Sequence, residues 1–177
     1  MKRTEKASLI NEDYRVGKMT FGACLKGLFT GHTFYLVASQ RLGNWLYRHK
    51  VRFLPDLIKC WQLRKFACEL SPYATIGGGL SIPHSTGIVV GHAVQIGSHC
   101  RIFQNVTIGS NEKTEDRTDM PKIGNHVTIY AGAVLVGGIE IGDHAVIGAN
   151  AVVTKDVPPH AVVTGNPMKI VEPIKDI

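Results

Sequence analysis

One spacing constrains the fold of this 177-residue chain more than any other feature: through its second half, an aliphatic residue recurs at every sixth position. An α-helix repeats about every 3.6 residues and a strand every two, so neither element explains a period of six. A fixed longer period is typical of a solenoid, in which each repeat stacks on the next. The series consists of Ile76, Ile82, Ile88, then, after a two-residue shift, Val90, Ile96, Ile102, Ile108, and finally Ile123, Ile129, Leu135, Ile141, Ile147 and Val153.

The period of six predicts a triangular coil of about eighteen residues, in which three flat strands meet at three corners. The aliphatic residues point to the axis of the coil, and the glycine that follows many of them allows a tight corner. The polar stretch at residues 110–121 interrupts the series and predicts a loop that projects from the stack. We therefore expect a mainly β domain, a parallel β-helix of hexapeptide repeats, over residues 69–163, with a tail at 164–177.

Residues 1–68 have a helical pattern instead. Phe34, Val37, Leu42, Trp45 and Leu46 have spacings compatible with one helix face. Pro55 and Asp56 indicate a helix start, and Leu57, Ile58, Trp61 and Phe66 follow at helical intervals. We expect an N-terminal helical arm that covers one end of the coil.

The arm is strongly basic between residues 41 and 65, where seven Lys or Arg stand against a single acid, Asp56. Two interpretations remain open: this segment contacts an anionic surface such as lipid headgroups, or its apolar side packs on the coil while its basic face is solvated. No zinc-finger spacing or recognition module indicates a nucleic-acid partner. The absence of CxxC pairs, of an apolar leader and of a membrane-length apolar run predicts a cytoplasmic protein, with contact at the inner membrane face left open by the arm.

The motifs HSTGIVVG (84–91), VTIGS (106–110) and the run from PKIG at 121 to TGNP at 167 resemble the hexapeptide-repeat acyltransferases, in particular their serine acetyltransferase branch. The resemblance covers about residues 67–171. It implies a left-handed parallel β-helix, acetyl-CoA as the acetyl donor and a hydroxyl group as the acceptor. It also implies a homotrimer whose active sites lie between adjacent β-helices.

His84 matches the catalytic histidine of that family. A hydroxyl group has a pKa far above neutrality, and imidazole is the side chain suited to accept its proton near neutral pH. The family carries an aspartate just before the first coil, and Glu69 takes that position here. By resemblance, Glu69 is expected to fix the tautomer of His84.

The acceptor is predicted from a departure from the family pattern. Serine acetyltransferases carry an Arg-His pair just before PKIG, where it helps to hold the amino acid, whereas this chain has Asp119 and Met120. Arg117 is close, but it is shifted by two positions. The chain thus resembles capsule and exopolysaccharide O-acetyltransferases more. We expect a sugar or glycan precursor, held by Asp119 and Arg117; serine O-acetylation in cysteine biosynthesis is the alternative.

The resemblance also indicates where acetyl-CoA would bind. Small residues at corners would let the pantetheine arm approach the backbone, and lysines would pair with the phosphates. The candidates are Gly109, Ser110, Ala131, Gly132, Ala149, Asn150, Lys155 and Lys169.

Two other classes of function are alternatives to acetyl transfer. Carbonic anhydrases of this fold bind zinc through histidines that include a pair five residues apart. No such pair exists here, so no metal is expected. A non-catalytic scaffold is the more distant alternative. His92, His99, His126, His144 and His160 are interpreted as corner or surface residues.

Overall fold

A computed structural model describes residues 32–112 and 119–171, in which short strands form three sheets. The first sheet consists of β1 (Glu69–Leu70), β3 (Val89–Val90), β6 (Thr107–Gly109), β9 (Val134–Val136) and β12 (Val152–Val153). The second consists of β2 (Thr75–Ile76), β4 (Gln95–Ile96), β7 (Lys122–Ile123) and β10 (Glu140–Ile141). The third consists of β5 (Arg101–Ile102), β8 (Thr128–Ile129), β11 (Val146–Ile147), β13 (Val162–Thr164) and β14 (Lys169–Val171). The predicted helical start at 1–31 and residues 113–118 of the predicted loop, including Arg117, lie outside the described residues.

The predicted parallel β-helix is confirmed. The chain visits the three sheets in turn, and each strand pairs in parallel with the strand one coil later, except that β14 pairs antiparallel with β13. Every aliphatic residue of the period-six series is buried, with at most 6% of its surface exposed. In β1 to β13 the second residue of each strand is buried, because successive side chains alternate between the two faces, whereas all three residues of β14 are exposed.

The register shows two insertions into an otherwise regular coil. Val134 pairs with Val152 and Val89 with Thr107, which is the predicted repeat of eighteen residues. Glu69 instead pairs with Val89, so the first coil has two extra residues, and these lie between Ile82 and Val89. Thr107 pairs with Val134, which places nine extra residues in the loop near 110–121. The first insertion contains His84.

Three edges join the sheets. The His84 edge leads from the third sheet to the first and contains residues 83–88, 103–106, 130–133 and 148–151. The loop edge leads from the first sheet to the second, at residues 91–94, 110–112, 119–121, 137–139 and 154–156. The histidine edge leads from the second sheet to the third, at residues 77–80, 97–100, 124–127, 142–145 and 158–161.

Two helices, α1 (His32–Arg48) and α2 (Leu54–Phe66), cover the first coil. Polar side chains of α1 donate to backbone carbonyls that have no neighbouring coil to pair with: Gln40 donates to Ser71 and Ala74, and Asn44 donates to Pro72 and Ala74. Buried carbonyls need such donors, and an open sheet edge needs a cover. The arm therefore caps one end of the coil, as expected.

The face of the arm that packs on the coil matches the apolar pattern of the sequence only in part: Val37 is buried, with 5% of its surface exposed. Leu42, Leu57 and Trp61 have the helical spacings noted in the sequence, but they are 47%, 57% and 41% exposed. The buried face is mixed: Leu36, Val37 and Phe66 join the hydrophobic core, while Gln40 and Gln62 supply hydrogen bonds to the coil. Phe66 is buried as predicted, and Pro55 and Asp56 lie in the first turn of α2. Within residues 32–112 and 119–171, no helix is long and apolar enough to cross a membrane.

Candidate active site

His84 lies on the widened corner of the first coil, and its side chain is exposed. Its neighbours in the chain are fixed by the backbone: the Cys68 thiol donates to the carbonyl of Ser85, and the amide of Asn105 donates to that of Thr86 at 2.9 Å. Among the described residues, the imidazole itself has no hydrogen-bond or ion-pair partner. The corner therefore presents a free imidazole on a firmly held backbone.

Gly87 is the residue that allows this corner to close. Its φ is +69°, and a Cβ there would lie 2.2 Å from Oδ1 of Asn105 in the next coil. Any side chain would both strain the backbone and clash with Asn105. Its amide donates to the carbonyl of Ala67 at 2.9 Å, which binds the corner to the segment leading into β1.

Glu69, which is expected to fix the tautomer of His84, forms an ion pair in this structure. Its carboxylate lies 2.7 Å from the ammonium of Lys59 on α2, and no hydrogen bond joins it to His84. The physical reason is that α2 runs beside β1 and brings a full positive charge to the carboxylate. Lys59 was not identified from the sequence because it is one of seven cations in the basic segment.

Four of the candidate CoA residues lie on the same edge as His84. Ala131 and Gly132 follow β8, and Ala149 and Asn150 occupy the equivalent corner one coil later. A Cβ on Gly132 would lie 2.1 Å from Oδ1 of Asn150, so this corner has no room for a side chain at position 132. These corners thus carry mostly small side chains in line with His84.

The other candidates lie on the loop edge or at the far end. Gly109 ends β6, and a Cβ there would meet nothing within 4 Å, so space is open beside it. Ser110 donates to Oδ1 of Asp119 at 2.6 Å, so Asp119 ties the base of the loop together. Lys155 is exposed on this edge and Lys169 is exposed in β14. Within one chain, the first sheet separates Gly109, Ser110, Asp119 and Lys155 from His84.

One polar group at the His84 edge was missed in the sequence. Oε1 of Gln104 is buried and has no hydrogen-bond partner, the single such side-chain atom in the described part of the chain. Gln104 lies one coil beyond His84 and next to Phe103, whose ring stacks on Tyr130 with centroids 5.1 Å apart. No spacing in the sequence distinguishes it from other corner residues.

The nearby thiol does not compete with His84. Burial raises the pKa of the Cys68 thiol, and the thiol donates to a carbonyl, so it remains protonated near neutrality. Four of the other histidines, His99, His126, His144 and His160, form a stacked column on the histidine edge, away from His84. In the described residues, no group of three or more metal-binding side chains is arranged to hold an ion.

Comparison with known proteins agrees with this architecture. Residues 120–155 match the family model described as bacterial transferase hexapeptide (six repeats). Serine acetyltransferase of Escherichia coli strain K12 is 40% identical over 139 residues, which are 78% of this chain and 50% of that protein. Serine acetyltransferase of Synechococcus elongatus is 33% identical over 138 residues, 78% of this chain and 56% of that protein.

Solved structures extend the likeness to the helical arm. Soybean serine acetyltransferase apoenzyme superposes with a TM-score of 0.87 at 33% identity, over 95% of this chain and 69% of that chain. A serine acetyltransferase in complex with CoA gives a TM-score of 0.74 at 35% identity, over 79% of this chain and 57% of that chain. The present chain spans about half the length of the curated relatives it matches.

The named relatives support the serine acetyltransferase branch, and they give no support to the capsule and exopolysaccharide character that the residues before Pro121 suggested. The repeat, the cap and the position of His84 agree with the same assignment. The chain belongs to the hexapeptide-repeat transferase family.

Proposed function

We propose that this protein is a serine O-acetyltransferase, which transfers the acetyl group of acetyl-CoA to the hydroxyl of L-serine. The observation that carries the proposal is the exposed, unpartnered imidazole of His84 on the widened corner of a chain 40% identical to serine acetyltransferase of Escherichia coli. The alternative acceptor, a sugar or glycan precursor, rests on Asp119 and Met120 before the PKIG motif. The relatives favour serine over that acceptor.

His84 acts as the general base. It accepts the proton of the serine hydroxyl while the oxygen attacks the acetyl carbon, and a backbone N–H stabilises the negative charge that develops. His84 then returns the proton to the departing thiolate. The free imidazole suits this role because no other group in the described residues occupies its nitrogen atoms.

The His84 edge supplies the binding strip for acetyl-CoA. Ala131 and Gly132 are half-buried and Ala149 and Asn150 are exposed. They lie in line with His84 along successive coils, where the pantetheine arm can lie against the backbone. Lys155 and Lys169 are exposed and supply positive charge for the phosphates. Gly109 leaves open space on the opposite edge of the first sheet.

A homotrimer would bring the candidate residues of the His84 edge together with those of the loop edge. The outward side chains of the first sheet are mostly apolar, with Val89 38% exposed and Val134 and Val152 half-buried, whereas those of the second sheet are all polar and exposed. If three first sheets surround one axis, the His84 edge of one chain meets the loop edge of the next. That arrangement would complete each site from two chains.

The trimer is tested with Val134→Arg, which places a charge on the apolar face. Light scattering should show the wild type as a trimer and the variant as smaller species. Thr75→Arg is the control, since Thr75 is exposed on the second sheet. A monomeric wild type at working concentration would contradict the assembly.

The outer face of α2 supports contact with an anionic membrane surface at the cytoplasmic side, where acetyl-CoA is made. Phe53 is 67% exposed and precedes Leu57 and Trp61 on the same helix face, while Arg52 and Arg64 are exposed at its two ends. Apolar residues flanked by cations are typical of interfacial helices. The protein should sediment with vesicles that contain anionic lipid. The double variant Leu57→Ser, Trp61→Ser should not sediment with them. Equal sedimentation of the wild type and the double variant would contradict the membrane contact.

The acceptor is tested by thiol release from acetyl-CoA with L-serine, set beside a panel of sugars. Saturable turnover of L-serine, with kcat/KM at least about a hundredfold above that of any sugar, is the expected result. The reverse preference would restore the glycan acceptor.

A further inference from the structure

We infer that Lys59 supplies the positive charge that binds the carboxylate of the acceptor at the His84 site. The inference rests on the proposed function, in which the acceptor is a free amino acid. A carboxylate that leaves water without a cationic partner is strongly disfavoured. Asp119 and Met120, before the PKIG motif, supply no cation, and Arg117 lies outside the described residues, so within the described residues the positive charge has to come from elsewhere in the fold.

An ion pair links Lys59 to the part of the coil that contains His84. Its ammonium lies 2.7 Å from the carboxylate of Glu69, the first residue of β1. Residues 67–69 run beside the corner that follows His84: the amide of Glu69 donates to Ile88 at 2.8 Å, and the thiol of Cys68 donates to Ser85. The ion pair therefore stands at the side of the candidate site.

The pair complements a zwitterion. An amino acid presents an ammonium and a carboxylate a few atoms apart, and Glu69 and Lys59 offer the opposite charges side by side. The two side chains are 24% and 40% exposed, respectively. An ion pair this exposed contributes little to stability, so exchanging part of it for contacts with the substrate costs little. A neutral sugar has no charged groups to pair with these two side chains.

Other cations near the first coil are less suited to this task. Arg41 is buried and donates to coil carbonyls, and the ammonium of Lys65 lies over the ring of Trp61 at 5.2 Å. Arg101 is the competing candidate, because it precedes the His84 edge one coil later. Its guanidinium lies over the ring of Phe103 at 5.2 Å, and within residues 32–112 and 119–171 no ion pair joins it to a carboxylate that could receive the ammonium of the substrate.

The test compares L-serine with L-serinamide, in which the carboxylate is replaced by a neutral amide. For the wild type, kcat/KM should be at least about tenfold higher for L-serine, equivalent to about 1.4 kcal/mol. In Lys59→Gln the ratio of kcat/KM for L-serine to kcat/KM for L-serinamide should fall to near one. The fall should come from a higher KM for L-serine, with kcat within about threefold of the wild-type value. Lys59→Arg keeps the charge and should keep the preference.

Two variants serve as controls for this result. Lys122→Gln breaks the similar ion pair between Lys122 and Glu140, 3.2 Å apart on the second sheet, and should leave the ratio unchanged. Arg101→Gln should also leave it unchanged. Thermal unfolding of each variant checks the fold, and Lys59→Met replaces Lys59→Gln if the latter fails to fold.

The outcomes separate this inference from the proposed function. If the wild type acetylates L-serine but Lys59→Gln and Lys59→Met both keep the preference over L-serinamide, the role of Lys59 is wrong and the proposed function stands. The same holds if Arg101→Gln removes the preference. If the wild type does not acetylate L-serine at all, both ideas are overturned.

Discussion

The guanidinium of Arg41 donates to the carbonyl oxygen of Gly77 at 2.6 Å, across the junction between α1 and the first coil. It also donates to the carbonyl of Ile76, and the residue is 9% exposed. A buried cation with two carbonyl acceptors is unusual enough to need a reason. The reason is that the first coil has no preceding coil to pair with its carbonyls.

Arg41→Met tests this cap. The variant keeps the apolar stem and removes both donors, so the free energy of unfolding should fall by about 1–3 kcal/mol for the carbonyls left without a partner. Urea denaturation followed by circular dichroism measures the loss. Arg52→Met is the control, because Arg52 is exposed and should change stability by less than about 0.5 kcal/mol. If both variants lose the same free energy of unfolding, the hydrogen bonds of Arg41 to the first coil do not contribute to stability.

The β-helix core could be predicted from the sequence, whereas the cap could not. Burial of Ile102 or Ile129 follows from a period that every coil repeats, so the pattern encodes it locally. The bond between Arg41 and Gly77 joins residues far apart in the chain, and it exists only once the helix lies on the coil. The exposure of Leu42 and Trp61 has the same cause: the arm packs partly through polar side chains such as Gln40 and Gln62, which a hydrophobic period does not detect.

The candidate site could likewise be predicted from the sequence only in part. His84 could be identified because its motif and the extra length of its coil are both visible in the sequence. The pairing of Glu69 with Lys59 could not, because it depends on where α2 lies against β1. The buried oxygen of Gln104 could not be predicted either, since burial at a corner depends on the coils to each side.

His84→Ala should lower kcat by about 10²–10⁴-fold, as the loss of a general base does, while the Tm stays close to that of the wild type. The stability should change little because the imidazole is exposed and makes no hydrogen bond in the described residues. His92→Ala is the matched control: His92 is also exposed, but it packs on Tyr73 at the loop edge with centroids 4.9 Å apart. Near-normal turnover of His84→Ala would remove His84 from the mechanism.

The described thiols should differ sharply in reactivity. Cys60 is exposed, whereas Cys68 and Cys100 are buried, and burial raises the pKa of Cys100 to about 11. The thiolate is the reactive form, so at pH 8 iodoacetamide should modify Cys60 rapidly and should leave Cys68 and Cys100 intact until the protein unfolds. Peptide mass spectrometry after timed quenching measures each site. Rapid native-state modification of Cys100 would contradict its burial in the core.

Asp143, at the histidine edge beside His144, should make the stability of the coil depend on pH in the acid range. Its Oδ1 accepts from the backbone amide of Asn125 at 2.7 Å and from the Asn125 side chain at 3.3 Å. These hydrogen bonds favour the ionised form, the backbone bond most, and hold the pKa of Asp143 below its usual value. Because the folded pKa lies below the unfolded one, the stabilisation is complete above the unfolded pKa, near 4, and is lost as the pH falls through the folded pKa.

Asp143→Asn isolates that charge, since the amide oxygen of asparagine can still accept from the backbone of Asn125. At pH 7 the Tm of the variant should lie below that of the wild type, because the neutral acceptor binds more weakly than the carboxylate. The difference should stay constant down to about pH 5 and should shrink below about pH 4, as the wild-type carboxylate takes up its proton. Differential scanning fluorimetry of both proteins between pH 7 and pH 3 measures it. A difference that stays the same through that range would mean that the charge of Asp143 does not stabilise the edge, and that the loss in the variant comes from packing alone.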